Sequence, residues 1–308
     1  MLGNVAEGIL QILTTVGVKS IYGVSGDAIF PLLDALARQQ HIKYYGAAQE
    51  SSAAFMAYGE AKITGGLSVC TATSGPGAVK LLNGLAEAYY ERVPILAITG
   101  QVETKKIGTN AKQFFHQQAL TRSFSSYSEI MLNPESVIPV LLPAIETATT
   151  QKTVVHLSIP KDIFSGPLKV NLDIPRPSAS LVLPEDHKNK IPRASTLIKN
   201  FQRPLLIIGV NCRETAKSVY TLSQQMGAGV IVAQQVRGVI QEVKPGVIGG
   251  ISDAYIPTLL NNCDGIIILG QCPYELDFLP QVPLVQIAQH PKDIYYNRVS
   301  YWISGEIE

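Results

Sequence analysis

The chain has 308 residues, enough for two domains at about 150 residues each. Hydrophobic residues make up 46% and charged residues 16%, so sizeable cores are expected and extended disorder is not. The formal net charge is +1 with no basic cluster, which argues against nucleic acid and anionic membrane surfaces as partners. Cys70, Cys212, Cys263 and Cys272 lack zinc-ligand spacing, and a disulfide scaffold is not expected at this size. "MLGNVAEGIL" has no basic region before an apolar core, and runs such as "LLIIGV" are too short to span a bilayer. The expectation is a cytoplasmic protein with no integral membrane segment.

In chain order, Asn4 and Glu7 form a capping-box pattern at the head of a helix ending near Thr15. "KSIYGV" reads as a buried strand and "DAIFPLLDALARQQ" as an amphipathic helix with Pro31 in its first turns. Strand "IKYYGA" leads to a helix over 50–64, strand "LSVCTAT" to a helix over 77–91, and strand "PILAIT" to a loop over 100–113. A helix over 135–150 precedes the strand "TVVHLSI". Such alternation predicts a parallel sheet covered on both faces, with the strand-to-helix turns on one edge.

Residues 166–191, with Pro167, Pro175, Pro177 and Pro184, lack this periodicity and read as a linker between a domain over 1–165 and one over 192–308. The second series comprises strand "PLLIIGV", a helix over 213–226, strand "GVIVAQ", a helix near 255–261, and strands "GIIILG", "PLVQIA" and "VSYWIS". The predicted class is α/β, with two doubly wound parallel-sheet domains.

Glu50, in "YYGAAQESSAAF", sits where a strand stops and a small-residue helix begins. A carboxylate there is favourable for the helix dipole alone. Two glycine-bearing strand ends give it company: Gly23-Val24-Ser25-Gly26, and Thr73-Ser74-Gly75-Pro76-Gly77 before the helix carrying Asn83-Gly84. Ligands of doubly wound sheets bind at such strand ends, and a carboxylate between two glycine-rich turns is more specific than either turn alone.

These residues resemble a family. "GVSGD", "QES", "TSGPG", "NGLAEAYYERVPILAITG" and "KQF", between Asn4 and Phe164, are similar to the pyrimidine-binding domain of thiamine-diphosphate-dependent enzymes, in the pyruvate oxidase and acetolactate synthase group. Asn83-Gly84-Leu85 looks more like pyruvate oxidases. "RPLLIIGVN", "IILGQCPYE" and "GEI" resemble the family's middle domain, which holds FAD in pyruvate oxidases. The resemblance implies that Glu50 shares a proton with N1′ of the cofactor's aminopyrimidine, favouring the imino tautomer that removes the thiazolium C2 proton. A partly protonated carboxyl needs an apolar setting, which the small neighbours in "AAQESSAAF" can supply. It also implies thiamine diphosphate contacts at Gly26, Ser74, Pro76, Asn83 and Gln113, and FAD contacts at Gly209, Arg237, Gly250 and Glu306.

The chain departs from the family at several places. The family binds the diphosphate through Mg²⁺ in a third domain marked by Gly-Asp-Gly and a later Asn-Asn. Here Gly26-Asp27 is followed by Ala28, and Asn261-Asn262 has no acidic partner at the right distance upstream. No metal ligand is therefore expected in this chain. Gln49 replaces the His before the catalytic Glu, Ser25 a Pro, and Lys80 an Asn or His; Lys112-Gln113-Phe114 replaces Phe-Gln-Glu. Either lysine, if solvated, is neutral to the chemistry; if aimed at the site, it favours ionised Glu50, which cannot donate to N1′. In the middle domain, Ala288 stands where an acid would meet the ribose, and the turn at Gly209 has a structural reading as well as a phosphate one.

The other conspicuous residues have structural readings: His116 at a surface or helix start, Cys70 in the core, Asp253 as a helix cap and Trp302 in packing. The leading expectation is a pyruvate-oxidase-like component acting on a small 2-oxo acid as a homodimer or homotetramer. Its cofactor site would be shared with a partner domain or a separate chain carrying the diphosphate half. An acetolactate-synthase-like carboligase component and a non-catalytic binding protein are the alternatives.

Overall fold

A computed structural model describes residues 3–169, 185–210, 212, 215–233, 236–238, 247–250, 256–272, 278–289 and 293–305. It divides into two compact units, Met1–Ala179 and Ser180–Glu308. The first contains helices α1 (Val5–Thr15), α2 (Phe30–Ala37), α3 (Glu50–Thr64), α4 (Pro76–Tyr90), α5 (Gln117–Thr121), α6 (Val137–Gln151) and α7 (Lys161–Phe164). Its strands are β1 (Ser20–Gly23), β2 (Lys43–Gly46), β3 (Ser68–Ala72), β4 (Ile95–Gln101), β5 (Tyr127–Ile130) and β6 (Val154–Pro160). They lie in the order β2-β1-β3-β4-β6-β5, every neighbouring pair parallel.

The central strands are buried along their whole length, so they carry no polar–apolar alternation. One face of the sheet is covered by α1, α2 and α6 through Ile9, Leu13, Leu32, Leu141 and Ile145, each burial stabilising by about 1.5–3 kcal/mol. The other is covered by α3 and α4 through Ala54, Ala57, Ala61, Leu81 and Leu85. The alanines of α3 let α4 come close enough that a β-carbon on Gly84 would lie 2.7 Å from that of Ala54. The far end of this helix pair is tied by Glu91, whose carboxylate accepts from both Tyr58 and Lys62. At the N-terminus Asn4 accepts from the Glu7 N–H at 3.0 Å, while the Glu7 carboxylate accepts from Gly3 rather than Asn4, a capping box displaced by one residue.

The second unit contains α8 (Glu185–Ile198), α9 (Ala216–Met226) and α10 (Ile256–Asn262). Strands β7 (Pro204–Ile208), β8 (Gly229–Val232), β9 (Val247–Gly250), β10 (Gly265–Leu269), β11 (Leu284–Ala288) and β12 (Tyr301–Ser304) form a second all-parallel sheet in the order β12-β11-β10-β7-β8-β9. Beyond the carboxyl ends of β7 and β10, Val210 and Gln271 form an antiparallel bridge. Gln286, fully buried on β11, donates to the carbonyls of Gly270 and Asp293 and accepts from Tyr295, bracing the same end of the sheet.

Four elements differ from the sequence expectation. The tail of the expected linker is helical, because α8 begins at Glu185 despite Pro192 within it. β5 and β9 are four-residue edge strands, β5 half-exposed and β9 ending in two glycines, so neither has the apolar run that marks a buried strand. α5 is only five residues long.

Beneath α5 lies a polar chain within the core. Ser128 Oγ lies 3.0 Å from His156 Nδ1, and His156 Nε2 lies 2.8 Å from Thr99 Oγ1. Thr99 donates to Gln117 Oε1, and Gln117 Nε2 donates to the Gly100 carbonyl at 2.9 Å. With the Thr99 proton committed to Gln117, Thr99 can only accept from His156, so the imidazole is the neutral Nε2–H tautomer receiving from Ser128.

His156 is 1% exposed, and burial pulls its pKa down from 6.5 to about 4. The neutral form is the folded one, so the stabilisation is fully present above the unfolded pKa near 6.5 and is lost as pH falls from there through 4. Urea unfolding across pH 7 to 4 is expected to show a loss of up to about 3 kcal/mol from this group. His156→Gln should be less stable at pH 7, and its deficit should shrink toward pH 4; a deficit independent of pH would contradict the assignment.

Candidate functional site

The first unit begins at β1, runs outward to β2 and returns to β3 on the other side of β1. Connections leaving β1 and β3 therefore diverge, which opens a crevice at their carboxyl ends. The turn before α2 and the turn before α4 meet there. Thr73 is the contact between them: its Oγ1 accepts from the Ala28 N–H at 3.2 Å. A β-carbon on Gly26 would stand 2.5 Å from Thr73 Cβ, and one on Gly77 would stand 2.9 Å from Thr73 Cγ2 and 3.2 Å from Glu50 Oε1.

Glu50 reaches this point from the edge side of the sheet. It is the first residue of α3, after an extended Gln49 whose side chain makes no capping bond. A carboxylate in this first turn suits the α3 dipole, and the side chain also lies against the first turn of α4 at Gly77. Glu50 is 8% exposed, and among the described residues no hydrogen bond is made to its carboxyl group. Its ion-pair partner is Lys80, one turn into α4, with Nζ 3.8 Å from Oε2. Of the two lysines singled out by the sequence, Lys80 is thus aimed at the carboxylate, whereas Lys112 is exposed and makes no ion pair among the described residues.

The structure brings Gly26 and Gln113 to the turn that opens α4 and holds Ser74 and Pro76: Gly26 lies against Thr73, and Gln113 lies against Gly75. Ser74 is buried, and Pro76 occupies the first turn, where its missing N–H costs nothing. Gly75 has φ +64°, the left-handed region, and a β-carbon on it would stand 2.8 Å from the Gln113 carbonyl oxygen. Gln113 itself has φ 66° and is exposed. Asn83 lies further along α4 on its open side. Thr73 and the contact of Gly77 with Glu50 were missed in the sequence, where nothing in "TATSGPG" distinguishes this threonine from its neighbours. The buried His156 was missed as well, sitting unmarked in an apolar strand. It lines a small cavity with Leu81, Leu85, Thr99, Gln117 and Thr121, which Glu50 does not line.

The residues expected to meet FAD fall in the second unit. The first of these, Gly209, follows β7 at its own switch point, between β7 and β10, and a β-carbon there would stand 1.8 Å from the Gln271 carbonyl oxygen. Its close approach is to this chain's own backbone. Arg237 is exposed in a turn before Gly238, and Gly250 ends β9. Glu306 and Asp253 lie outside the described residues. His116 is exposed immediately before α5, Cys70 is buried in β3, and Trp302 in β12 packs edge-on against Tyr296 at 5.3 Å.

An aminopyrimidine offers a ring nitrogen that a carboxyl can bond, and the nearly buried Glu50 carboxyl with no hydrogen-bond donor of its own fits that group. Among the described residues no group of three or more His, Cys, Asp or Glu could hold a metal ion. Among them, too, no helix is long and apolar enough to cross a membrane.

Comparison with known proteins finds two family models: the thiamine pyrophosphate enzyme N-terminal TPP binding domain over residues 3–120 and the thiamine pyrophosphate enzyme central domain over 191–308. A Bacillus subtilis protein, YdaP, named as thiamine pyrophosphate-containing, is 29% identical over 94% of this chain and 51% of its own length. An uncharacterised 42.6 kDa protein of Pseudomonas amyloderamosa is 30% identical over 94% of this chain and 75% of its own length. An acetolactate synthase of Mycobacterium bovis is 28% identical over 95% of this chain and 50% of its own length. The chain spans about half the length of the first and third of these relatives.

The crowding at Gly77 has a direct test. Gly77→Ala places a methyl 2.9 Å from Thr73, whereas Gly59→Ala in α3 meets nothing within 4 Å. Thermal or urea unfolding should show Gly59→Ala gaining up to about 1 kcal/mol and Gly77→Ala losing about 1–3 kcal/mol. A gain at both positions would remove the constraint.

Proposed function

The chain belongs to the thiamine pyrophosphate enzyme family, and on that premise we propose that it supplies the pyrimidine-activating half of a thiamine-diphosphate site acting on a small 2-oxo acid. The carrying observation is the Glu50 carboxyl at the β1/β3 switch point, 8% exposed and without a hydrogen-bond partner among the described residues. Bound there, thiamine diphosphate supplies the electron sink that decarboxylation of a 2-oxo acid requires.

The residues of this chain would hold the pyrimidine end. Glu50 would bond the ring nitrogen N1′ and exchange a proton with it. The first turn of α4 is bare at Gly77 beside the carboxyl, where a β-carbon would stand 3.2 Å from Glu50 Oε1, so the carboxyl lies close to the turn that would meet the ring. The turns bearing Gly26, Ser74 and Pro76, with Gln113 behind Gly75, would fix the ring against the carboxyl. The sequence contains no Gly-Asp-Gly, so Mg²⁺ and the diphosphate would be held by a domain outside this sequence, within the same assembly. A separate chain would bring that domain to Glu50, and this chain would itself pair as a homodimer or homotetramer within that assembly.

Two outcomes of the chemistry have support. Asn83-Gly84-Leu85 favours a pyruvate-oxidase-like reaction, whereas the name of the Mycobacterium bovis relative favours carboligation of the acetolactate synthase kind. A flavin in the middle domain would have to be held at Arg237, Gly250 and Glu306, because the space beside Gly209 is filled by the backbone of Gln271. No step of the proposal passes through a flavin.

The test is pyruvate consumption by the native assembly of this chain with the domain that carries Gly-Asp-Gly. Glu50→Gln keeps the shape but holds no exchangeable acid proton, and should lower turnover by about 10²–10⁴-fold. Undiminished turnover in Glu50→Gln would reject the role of Glu50. An intact assembly without turnover of 2-oxo acids would favour a protein that keeps the fold for binding alone.

A further inference from the structure

The two oxygens of the Glu50 carboxylate face different things. Oε1 lies against Gly77 at the head of α4, where a β-carbon would stand 3.2 Å from it. Oε2 is 3.8 Å from Lys80 Nζ. Glu50 is nearly buried, while the Lys80 side chain is 59% exposed, so the ammonium approaches the carboxylate from the solvent side. Among the described residues no hydrogen-bond donor holds that carboxylate. A ligand coming from solvent to bond Glu50 therefore meets Lys80 first.

We propose that Lys80 is a charge latch on Glu50, a positioning residue that occupies the carboxylate in the free chain and must be displaced before an aminopyrimidine nitrogen can bond it. The inference rests on the functional reading above and adds a regulator of ligand entry to it. The physical reason is competition for one anion. The paired carboxylate carries no proton, so bonding a ring nitrogen takes one up from solvent; the protonated ring is then cationic, and two cations share a single carboxylate. The fully hydrated alternative open to Lys80 makes release cheap, since an exposed pair at this separation is weak. The latch delays or weakens entry without forbidding it. Its strength should depend on salt, because a half-exposed ammonium is screened.

The experiment uses the full chain and a neutral probe, 4-amino-2,5-dimethylpyrimidine, which carries the ring nitrogen but neither the thiazolium charge nor the diphosphate. Binding is measured by calorimetric or NMR titration for wild type, Lys80→Met, Lys80→Arg, Glu50→Gln and the Lys80→Met/Glu50→Gln double variant. Lys80 is exposed, and matching thermal melts establish that its variants fold. Lys80→Met is expected to bind the probe about two- to fivefold more tightly, with Lys80→Arg restoring the wild-type value. The gain should shrink as salt is raised toward 1 M and vanish in the double variant, a pattern that a packing role for Lys80 would not produce. Equal binding by wild type and Lys80→Met, with loss in Glu50→Gln, overturns the latch and leaves the aminopyrimidine site standing. Binding that does not change in Glu50→Gln, or is absent from both wild type and Lys80→Met, overturns the site reading and the latch together.

Discussion

Thr73 has room at the centre of the first unit because two of its neighbours carry no β-carbon. Gly26 and Gly77 approach it from the turns before α2 and α4, so closely that a β-carbon would stand 2.5 Å from Thr73 Cβ on the first and 2.9 Å from Thr73 Cγ2 on the second. Its hydroxyl then accepts from Ala28 and joins those turns across the point where the sheet order reverses. Everything proposed for the site depends on this closure. The head of α4 sits where Gly77 can face Glu50, and Lys80 follows one turn later. A wider crevice would leave the Glu50 carboxylate hydrated, with little reason to seek a ligand. The closure takes water away from one side of the carboxylate and leaves Lys80 on the other.

Burial of a carboxylate costs free energy unless it is compensated, and Glu50 is met by Lys80, by the head of α3 and by solvent at its open side. A single exposed ammonium at 3.8 Å contributes little, since such pairs are worth about 0–1 kcal/mol. The nearby helix heads add favourable partial charge, about 0.3–1 kcal/mol each at exposed sites. Glu91 makes an instructive contrast at the opposite end of α3 and α4. It is as buried as Glu50, yet it accepts from both Tyr58 and Lys62 and ties the helices together. One buried acid is satisfied within the fold, and the other is left open at the mouth of a crevice.

The α/β alternation was legible because the central strands are uninterrupted apolar runs between amphipathic helices, and the parallel order follows from that pattern. The elements that escaped are those whose sequence carries no such signal. "YSEI" has a polar residue at its core-facing register, and "VIGG" ends in residues that disfavour strands, so only the tertiary edge makes them pair. Glu50 was legible because a carboxylate beside two glycine-rich turns is chemically conspicuous. Thr73 and His156 were not, since a threonine in a turn and a histidine in an apolar strand acquire meaning only from what lies across the sheet. The choice between the two lysines likewise needed the structure: Lys80 and Lys112 are equally plain in sequence, and the helical phase of α4 is what aims one at Glu50.

The two units solve the same topological problem in different ways. Each sheet starts in its interior, runs to one edge and returns to the other side of its first strand, which creates a switch point between β1 and β3 in one and between β7 and β10 in the other. In the first, the diverging turns are joined by a side chain, Thr73, and a carboxylate is left facing the gap. In the second, the chain itself fills the gap: Val210 pairs with Gln271, and Gly209 is bare because the Gln271 carbonyl lies against it. A glycine at a strand end in sequence therefore has two physical meanings, room for a ligand or room for another strand. The neighbour that a β-carbon would strike decides between them. By that criterion Gly209 is accounted for by backbone packing, and the chemistry of this chain concentrates at Glu50.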